Sequence, residues 1–269
     1  MQLNQVHAVV TGGASGMGKA TTEAIVAAGG KVCIVDYNKD WGEEIAQALG
    51  DSVCFEFADV SDPERAGEIM KSAVQKFGYI NVVVACAGVG SGTRILPREG
   101  GVFPLDTFKR VLDIHLIGSF NYLCQGALAM TEAPEFEDGE RGVILLTSSQ
   151  AADHGQIGQA AYSASKGAIE AIILPTAREL ARIGVRVNAI QPGLVNTNIS
   201  SVNQESMPKQ KHDHLPERED EPRAKHYVFP RRQGKATEFA SFALEIIKNT
   251  MINGAVLRFD GAMRFAPKW

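Results

Sequence analysis

Residues 7–18 read HAVVTGGASGMG, and the remainder of the chain falls into place around them. The first five make a short apolar run suited to a buried strand, and a helix is predicted from about residue 16. Between the two, Gly12, Gly16 and Gly18 stand in a GxxxGxG spacing. A glycine at 12 permits a tight turn, one at 16 lets a pyrophosphate approach the backbone, and one at 18 allows close helix packing. The N-terminus of the new helix then offers free N–H groups and a positive dipole end to the phosphates. Glycine-rich turns alone are common. At the first strand-to-helix turn of an α/β chain, this one reads as a dinucleotide-binding turn.

The rest of the chain repeats the alternation. Apolar strand-like runs fall at 7–11, 31–36, 52–58, 80–87, 142–148, 185–191 and 255–260, and helices are predicted at about 16–29, 39–49, 62–77, 104–131, 158–183 and 236–249. Short apolar runs between long amphipathic ones imply an α/β fold, a mostly seven-stranded parallel sheet covered by helices on both faces. No repeat, low-complexity tract or linker divides residues 1–269, so one domain is expected. Pro175 lies inside the helix predicted at 158–183 and is expected to bend or interrupt it.

Bulk properties narrow the function classes. The 269 residues allow a substantial core, and a formal net charge of -4 leaves no electrostatic footprint for nucleic acid. No apolar run approaches the ~20 residues of a membrane span. The opening MQLNQVHAVV lacks the basic-then-apolar pattern of a secretory signal, so a cytoplasmic protein is the default expectation. Cys33, Cys54, Cys86 and Cys124 form no CxxC pair and lie among apolar or small residues. They are expected as buried free thiols in a reducing compartment, with disulfides or metal ligation the lesser alternatives.

The chemistry is expected in residues 148–166, SSQAADHGQIGQAAYSASK, whose first residues end the apolar run GVILLTSS of 142–149. Tyr162 and Lys166 are four residues apart on a predicted helix and therefore share a face. An ammonium beside a phenol favours the phenolate, lowering a pKa that starts near ~10. Ser149, arriving from a strand end, brings a hydroxyl to a site where Tyr162 takes or gives a proton. A lone YxxxK pair belongs more often to an ordinary helix surface; the glycine turn changes that reading. Asp36 ends the second strand, where a carboxylate would grip an adenosine ribose 2′-hydroxyl and repel a 2′-phosphate. The residue before Gly16 is Ser15, not a cation, so NAD is favoured over NADP. The plainer alternative for Asp36 is a solvent-facing residue that opens a loop. Asp59-Val60 and Cys86-Ala87-Gly88 fall at the carboxyl ends of the third and fourth strands, the edge where open α/β sheets bind ligands.

Together these residues resemble the short-chain dehydrogenase/reductase family. The matching features are TGGASGMG of 11–18, ADV of 58–60, CAG of 86–88, Ser149, YSASK of 162–166, and Pro192-Gly193 followed by Thr197. Within that family the wording of VVTGGASGMG, GQIGQAAYSASKGAIEAIILPTAREL, FPRR and LRFDGAMR is similar to type II 3-hydroxyacyl-CoA dehydrogenases, also described as 17β-hydroxysteroid dehydrogenase-like. The resemblance implies a Rossmann-type doubly wound sheet, NAD as cofactor, a homotetramer, and oxidation or reduction between a 3-hydroxyacyl-CoA and a 3-ketoacyl-CoA. It implies that Tyr162 is the acid/base, that Lys166 lowers its pKa and holds the nicotinamide ribose, and that Ser149 bonds the substrate oxygen. It assigns Ser15 and Met17 to the cofactor in the glycine turn, and Asp59 and Val60 to the adenine. Cys86 and Gly88 would line the cleft, Val195 and Thr197 would hold the nicotinamide, and Gln159 would touch substrate.

One residue departs from the family's pattern. The segment RVLDIHLIGSF carries His115 where the family usually has an Asn that supports a water-linked proton relay. A satisfied structural histidine is the favoured reading; a titrating relay member, with an unperturbed pKa near ~6.5, is the second. The irregular stretch 198–232 is expected to be a substrate loop or lid. Its cations either meet a CoA phosphate or belong to a solvated surface. His212-Asp213-His214 lacks companion ligands, and no metal is expected. Segment 91–106 is expected to wall the cleft. Two further functions stay open: a dehydrogenase of a steroid or other cyclic secondary alcohol, and an inactive NAD-binding regulatory protein.

Overall fold

The computed structural model describes residues 1–98, 100–197 and 227–267. Strands β1 (His7–Thr11), β2 (Lys31–Asp36), β3 (Val53–Phe57), β4 (Val82–Ala85), β5 (Gly142–Thr147) and β6 (Val185–Pro192) are followed by the two-residue strands β7 (Val195–Asn196) and β8 (Gly234–Lys235), then β9 (Val256–Phe259). Seven of them form one parallel sheet in the order β3-β2-β1-β4-β5-β6-β9. β7 and β8 pair separately and in parallel, pieces too short for a sequence pattern to reveal.

Period-two alternation explains why the strands read as nearly continuous apolar runs: both faces are covered. Val9, Ile144 and Leu146 enter one core with Ile69, Tyr122, Leu123, Ile169 and Ile173. Ala8, Val10, Val143 and Leu145 enter the other with Ile25, Ile45, Phe239 and Ile246. The first core is therefore covered by α3 (Arg65–Phe77), α5 (Ser119–Met130) and α7 (Ala160–Leu180). The second is covered by α1 (Gly16–Ala27), α2 (Lys39–Leu49) and α8 (Ala236–Lys248). Helix α4 (Leu105–Leu112) precedes α5, and a single turn, α6 (Ala151–His154), precedes α7.

Where the structure departs from the sequence reading, the reasons are local. The helix expected at 104–131 is three pieces, because a π-helical turn spans Asp113–Gly118 between α4 and α5. Gly118 presses that turn against β3's continuation, and a Cβ there would lie 2.8 Å from the Val60 carbonyl oxygen. Helix α3 starts at Arg65, not 62, because the Asp62 carboxylate accepts the Glu64 and Arg65 N–H groups and makes a turn first. Pro175 does not interrupt α7. Its ring lies on the exposed face, as does Ala171, whose carbonyl loses its helical partner to the proline. Finally, all four cysteines are free, but Cys124 is exposed on α5, against the expectation of burial.

The order in which the chain adds strands reverses between β1 and β4, which places a crevice at their carboxyl ends. The turn after β1 lies directly on the segment after β4: a Cβ on Gly12 would sit 2.8 Å from the Ala87 nitrogen.

Candidate active site

Two of the three turn glycines require their freedom. Gly12 (φ +64°) and Gly16 (φ +51°) adopt left-handed conformations, and a Cβ on Gly16 would approach the Thr197 Cβ to 3.1 Å. The turn and the segment after β6, expected to hold opposite ends of a cofactor, therefore meet. Ser15 takes the N-cap position of α1 without a side-chain capping bond, and the helix has no acidic residue in its first turn. Its N-terminal N–H groups are left for an anion.

The Asp36 carboxylate accepts the Ala14 N–H (3.0 Å) on one oxygen and the Asn38 N–H (3.0 Å) on the other. It thus ties the glycine turn to the end of β2, with a lone pair remaining on each oxygen. Asp59 is gripped more firmly. Its Oδ1 accepts from the Ser61 N–H (2.9 Å) and hydroxyl (2.6 Å), and its Oδ2 from Arg110 (2.8 Å). Burial works against ionisation there, but the bonds from Ser61 and Arg110 prevail and hold the carboxyl below its usual value. Val60, beside it, is buried. Arg110 is a partner the sequence did not disclose, since it comes from α4, 51 residues away.

Ser149, Tyr162 and Lys166 converge as expected. The Ser149 hydroxyl stands close enough to the Tyr162 phenol to favour its ionised form, and it accepts the Ala151 N–H (3.1 Å). The Lys166 Nζ donates to the Thr147 carbonyl (2.8 Å) and lies 5.7 Å from the Tyr162 ring centre. The electrostatics differ from the simple ammonium–phenol expectation. Burial raises the Tyr162 pKa, opposed by the Ser149 hydrogen bond, and burial pushes Lys166 down to about 8, opposed by Cys86. Lys166 is thus a desolvated ammonium anchored to the strand, and at the phenol burial outweighs the effect of Ser149. Cys86 receives the Thr147 hydroxyl at 3.5 Å, and burial pushes its thiol up to about 11.

A stability measurement checks the state of Lys166. Between pH 8 and 10.5 the unfolded chain binds this proton more tightly than the folded one, so stability rises with pH in that window. Each pH unit across it is worth up to ~1.36 kcal/mol. Relative to Lys166→Met, the parent protein is therefore expected to gain roughly 2–3 kcal/mol of unfolding free energy from pH 7.5 to 10.5. Denaturant titrations of both proteins across that range provide the comparison; parallel curves would show an ordinary lysine.

His115 is settled by its bonds. The Val89 N–H donates to its Nε2 (2.8 Å), so Nε2 carries no proton and Nδ1 does. Nδ1 lies 2.9 Å from the Ser165 hydroxyl, to which it donates, and that hydroxyl donates to the Tyr162 carbonyl (2.7 Å). Burial first, then the charge of Lys166, pushes the imidazole well below its usual pKa. It is a neutral, fully bonded ring with its edge against Tyr162 (centroids 5.2 Å apart, 83° between planes). Both ring nitrogens have partners, as a structural histidine requires. Gly88 makes the room, since a Cβ there would come within 3.1 Å of Nε2.

The surrounding loops are partly visible. Val195 pairs with Gly234 across β7 and β8, fixing the segment that leads to Thr197. The Gln159 side-chain oxygen accepts the Gln156 N–H (2.8 Å) and shapes the turn before α7. Gly158, four residues before Tyr162, packs on Gly92 at the start of segment 91–106. Of the expected substrate loop, residues 198–226, with His212-Asp213-His214, lie outside the described residues. Arg232, one of its cations, is held by both carboxylate oxygens of Glu238 (2.8 and 2.6 Å).

Comparison with known proteins agrees with this geometry. The family model for short chain dehydrogenases matches residues 6–208. The chain is 40% identical to 3-hydroxyacyl-CoA dehydrogenase type-2 of Homo sapiens over 261 residues, covering 97% of this chain and 95% of that one. It is 39% identical to the protein of the same name from Drosophila melanogaster, covering 96% and 97%. Among solved structures, 3-hydroxyacyl-CoA dehydrogenase type-2 from Mycobacterium avium superposes with a TM-score of 0.87 at 34% identity, covering 99% of each chain. The chain belongs to the short-chain dehydrogenase family and is an oxidoreductase.

Proposed function

We propose that this chain is an NAD-dependent dehydrogenase that interconverts a 3-hydroxyacyl-CoA and the corresponding 3-ketoacyl-CoA. The observation that carries the reading is the meeting of Ser149, Tyr162 and Lys166 beside the crevice at the carboxyl ends of β1 and β4. The names of the relatives supply the substrate class. The residues fit a dinucleotide: the turn is one that Cβ atoms at 12 and 16 would fill, the α1 N-terminus is free of acids, and Asp36 keeps a lone pair on each oxygen for a ribose diol.

Bound in that crevice, NAD supplies the acceptor or donor of hydride. The protein manages the proton. In reduction, Tyr162, held neutral by burial, gives its phenolic proton to the developing alkoxide while Ser149 stabilises that oxygen with a hydrogen bond. In oxidation, Tyr162 as phenolate takes the hydroxyl proton, and a protonated Lys166 nearby offsets the negative charge. Ser15, Met17, Gly18 and the α1 N-terminus face the pyrophosphate, and Asp36 the adenosine ribose. Asp59, clamped by Arg110, and Val60 border the adenine. Cys86 and Gly88 line the cleft, and Val195 and Thr197 hold the nicotinamide end. Gln159 stands at the substrate side.

The whole chain acts as one nucleotide-binding domain in this reading. Among the described residues no helix is long and apolar enough to cross a membrane, and a cytoplasmic enzyme is proposed. A homotetramer is proposed, and the exposed apolar side chains Ile117, Phe120 and Leu128 at and along α5, with Leu174 on α7, offer a face for association between copies.

The test is oxidation of NADH, followed by absorbance, with acetoacetyl-CoA as substrate and with NADPH and non-CoA ketones in parallel. Turnover with acetoacetyl-CoA is expected, with NADH favoured over NADPH by roughly 100-fold, since each ~1.4 kcal/mol of repulsion at Asp36 is worth a factor of ten. Activity restricted to the non-CoA ketones would remove the acyl-CoA and keep the chemistry. Preference for NADPH would remove the role given to Asp36.

A further inference from the structure

Behind the Ser149–Tyr162 pair lies a partly buried polar set centred on Glu170, which the proposed chemistry does not use. Three consecutive residues at the end of β5 each reach α7. The Thr147 carbonyl accepts from Lys166 Nζ (2.8 Å), the Ser148 hydroxyl donates to Glu170 Oε1 (2.6 Å), and the Ser149 hydroxyl meets Tyr162. Positions 162, 166 and 170 repeat every four residues and share one helical face. The Ser148 bond is thus the third rung of a clasp whose other two rungs are the proposed catalytic residues.

Glu170 is also the junction between strands. Its Oε1 accepts a second bond of 2.6 Å from Gln191 Nε2, near the end of β6. The other N–H of that amide goes to Asp153 of α6 (3.0 Å), which Arg258 of β9 also reaches (3.0 Å). The amide can face only one way here: turned over, its oxygen lone pairs would point at two carboxylates. Ser148 and Gln191 are 1% and 2% exposed. Water has little access to replace Glu170 as their acceptor, and bonds to a carboxylate are the stronger kind.

We infer that Glu170 is a positioning residue, holding the Ser148 and Gln191 strand ends so that Ser149 and Tyr162 keep proton-transfer geometry. The inference rests on the dehydrogenase reading above. Ser148 sits between the residue that anchors Lys166 and the residue that meets Tyr162, so a shift at Ser148 displaces both. Displacements of about 1 Å at such sites cost on the order of 100-fold in rate. The carboxylate takes no part in proton transfer in this role; what matters is a two-bond acceptor at that point.

The test compares the parent with Glu170→Leu, Glu170→Gln and Ser148→Ala. It measures kcat and KM for acetoacetyl-CoA reduction, NADH affinity by fluorescence, the pH profile of kcat, and deuterium uptake by residues 145–166 without substrate. Glu170→Leu is expected to lower kcat at least about tenfold, with NADH affinity within about threefold and faster deuterium uptake. Glu170→Gln, whose amide oxygen still accepts both bonds, is expected to restore kcat to within about threefold and to keep the parent pH profile. Ser148→Ala, which removes one rung, is expected to lower kcat by roughly threefold or more and decides the matter if Glu170→Leu does not fold. Parent-like kcat in Glu170→Leu, or equal damage in Glu170→Gln, overturns the inference. If the parent itself does not reduce acetoacetyl-CoA, the substrate reading fails separately, and deuterium uptake decides: no difference between the Leu and Gln variants overturns the role of Glu170.

Discussion

Tyr162→Phe lowers turnover by about a thousandfold and leaves NADH affinity within about threefold of the parent: this is what removing one hydroxyl is expected to do. Positioned acid/base groups contribute about 10²–10⁴-fold. The phenyl ring that remains keeps the contacts that place it, with its face 5.7 Å from Lys166 Nζ and its plane at 83° to His115. What is lost is the phenolic hydroxyl and its interaction with Ser149. The cofactor-facing groups, from the glycine turn to Asp36, are untouched, so binding and chemistry should separate cleanly. Steady-state rates paired with fluorescence titration of NADH make the comparison. Turnover within about tenfold of the parent would mean that the proton travels by another route.

Gly18→Ala acts at the other end of the crevice and strikes binding. A Cβ at this position would sit 2.2 Å from the Gly12 carbonyl oxygen and 2.7 Å from its carbon. Both are backbone atoms of the turn, and Gly12 is itself pressed against Ala87, so the turn has nowhere to retreat. Overpacking of this kind costs about 1–3 kcal/mol, and more where backbone must move. The turn would be displaced from the α1 N-terminus that is proposed to meet the pyrophosphate. NADH affinity is expected to fall by at least about 100-fold, accompanied by a lower melting temperature. An alanine variant that binds NADH like the parent would show that the close helix approach has no part in holding the dinucleotide.

Both predictions concern residues that were legible before any tertiary contact was known, and the reason is spacing. Gly12, Gly16 and Gly18 lie within one strand–turn–helix unit, and Tyr162 and Lys166 within one helical turn, so local geometry already places each set. The same applies to the elements: α2 begins at Lys39, as expected, because the Asn38 side chain accepts the Trp41 N–H (3.0 Å) and caps it. The π-helical turn at 113–118 was not legible, because it answers the backbone of Val60 in a different strand connection. Nor was the protonation of His115, which depends on an N–H from residue 89 and a hydroxyl from residue 165.

Local sequence was therefore enough for the α/β architecture, the seven strands, the glycine turn and the shared helical face of Tyr162 and Lys166. All follow from periods of 2 and 3.6 and from residue types that suit only certain turns. The packed fold was needed for the Arg110 clamp on Asp59, the neutral state of His115, the direction in which burial moves Tyr162 and Lys166, and the Glu170 junction between β5 and β6. Those contacts join residues up to 51 positions apart, and they arise from the order of strands in the sheet. Desolvation likewise belongs to the packed whole: a side chain's pKa responds to how much water the other elements exclude, a quantity no local pattern encodes.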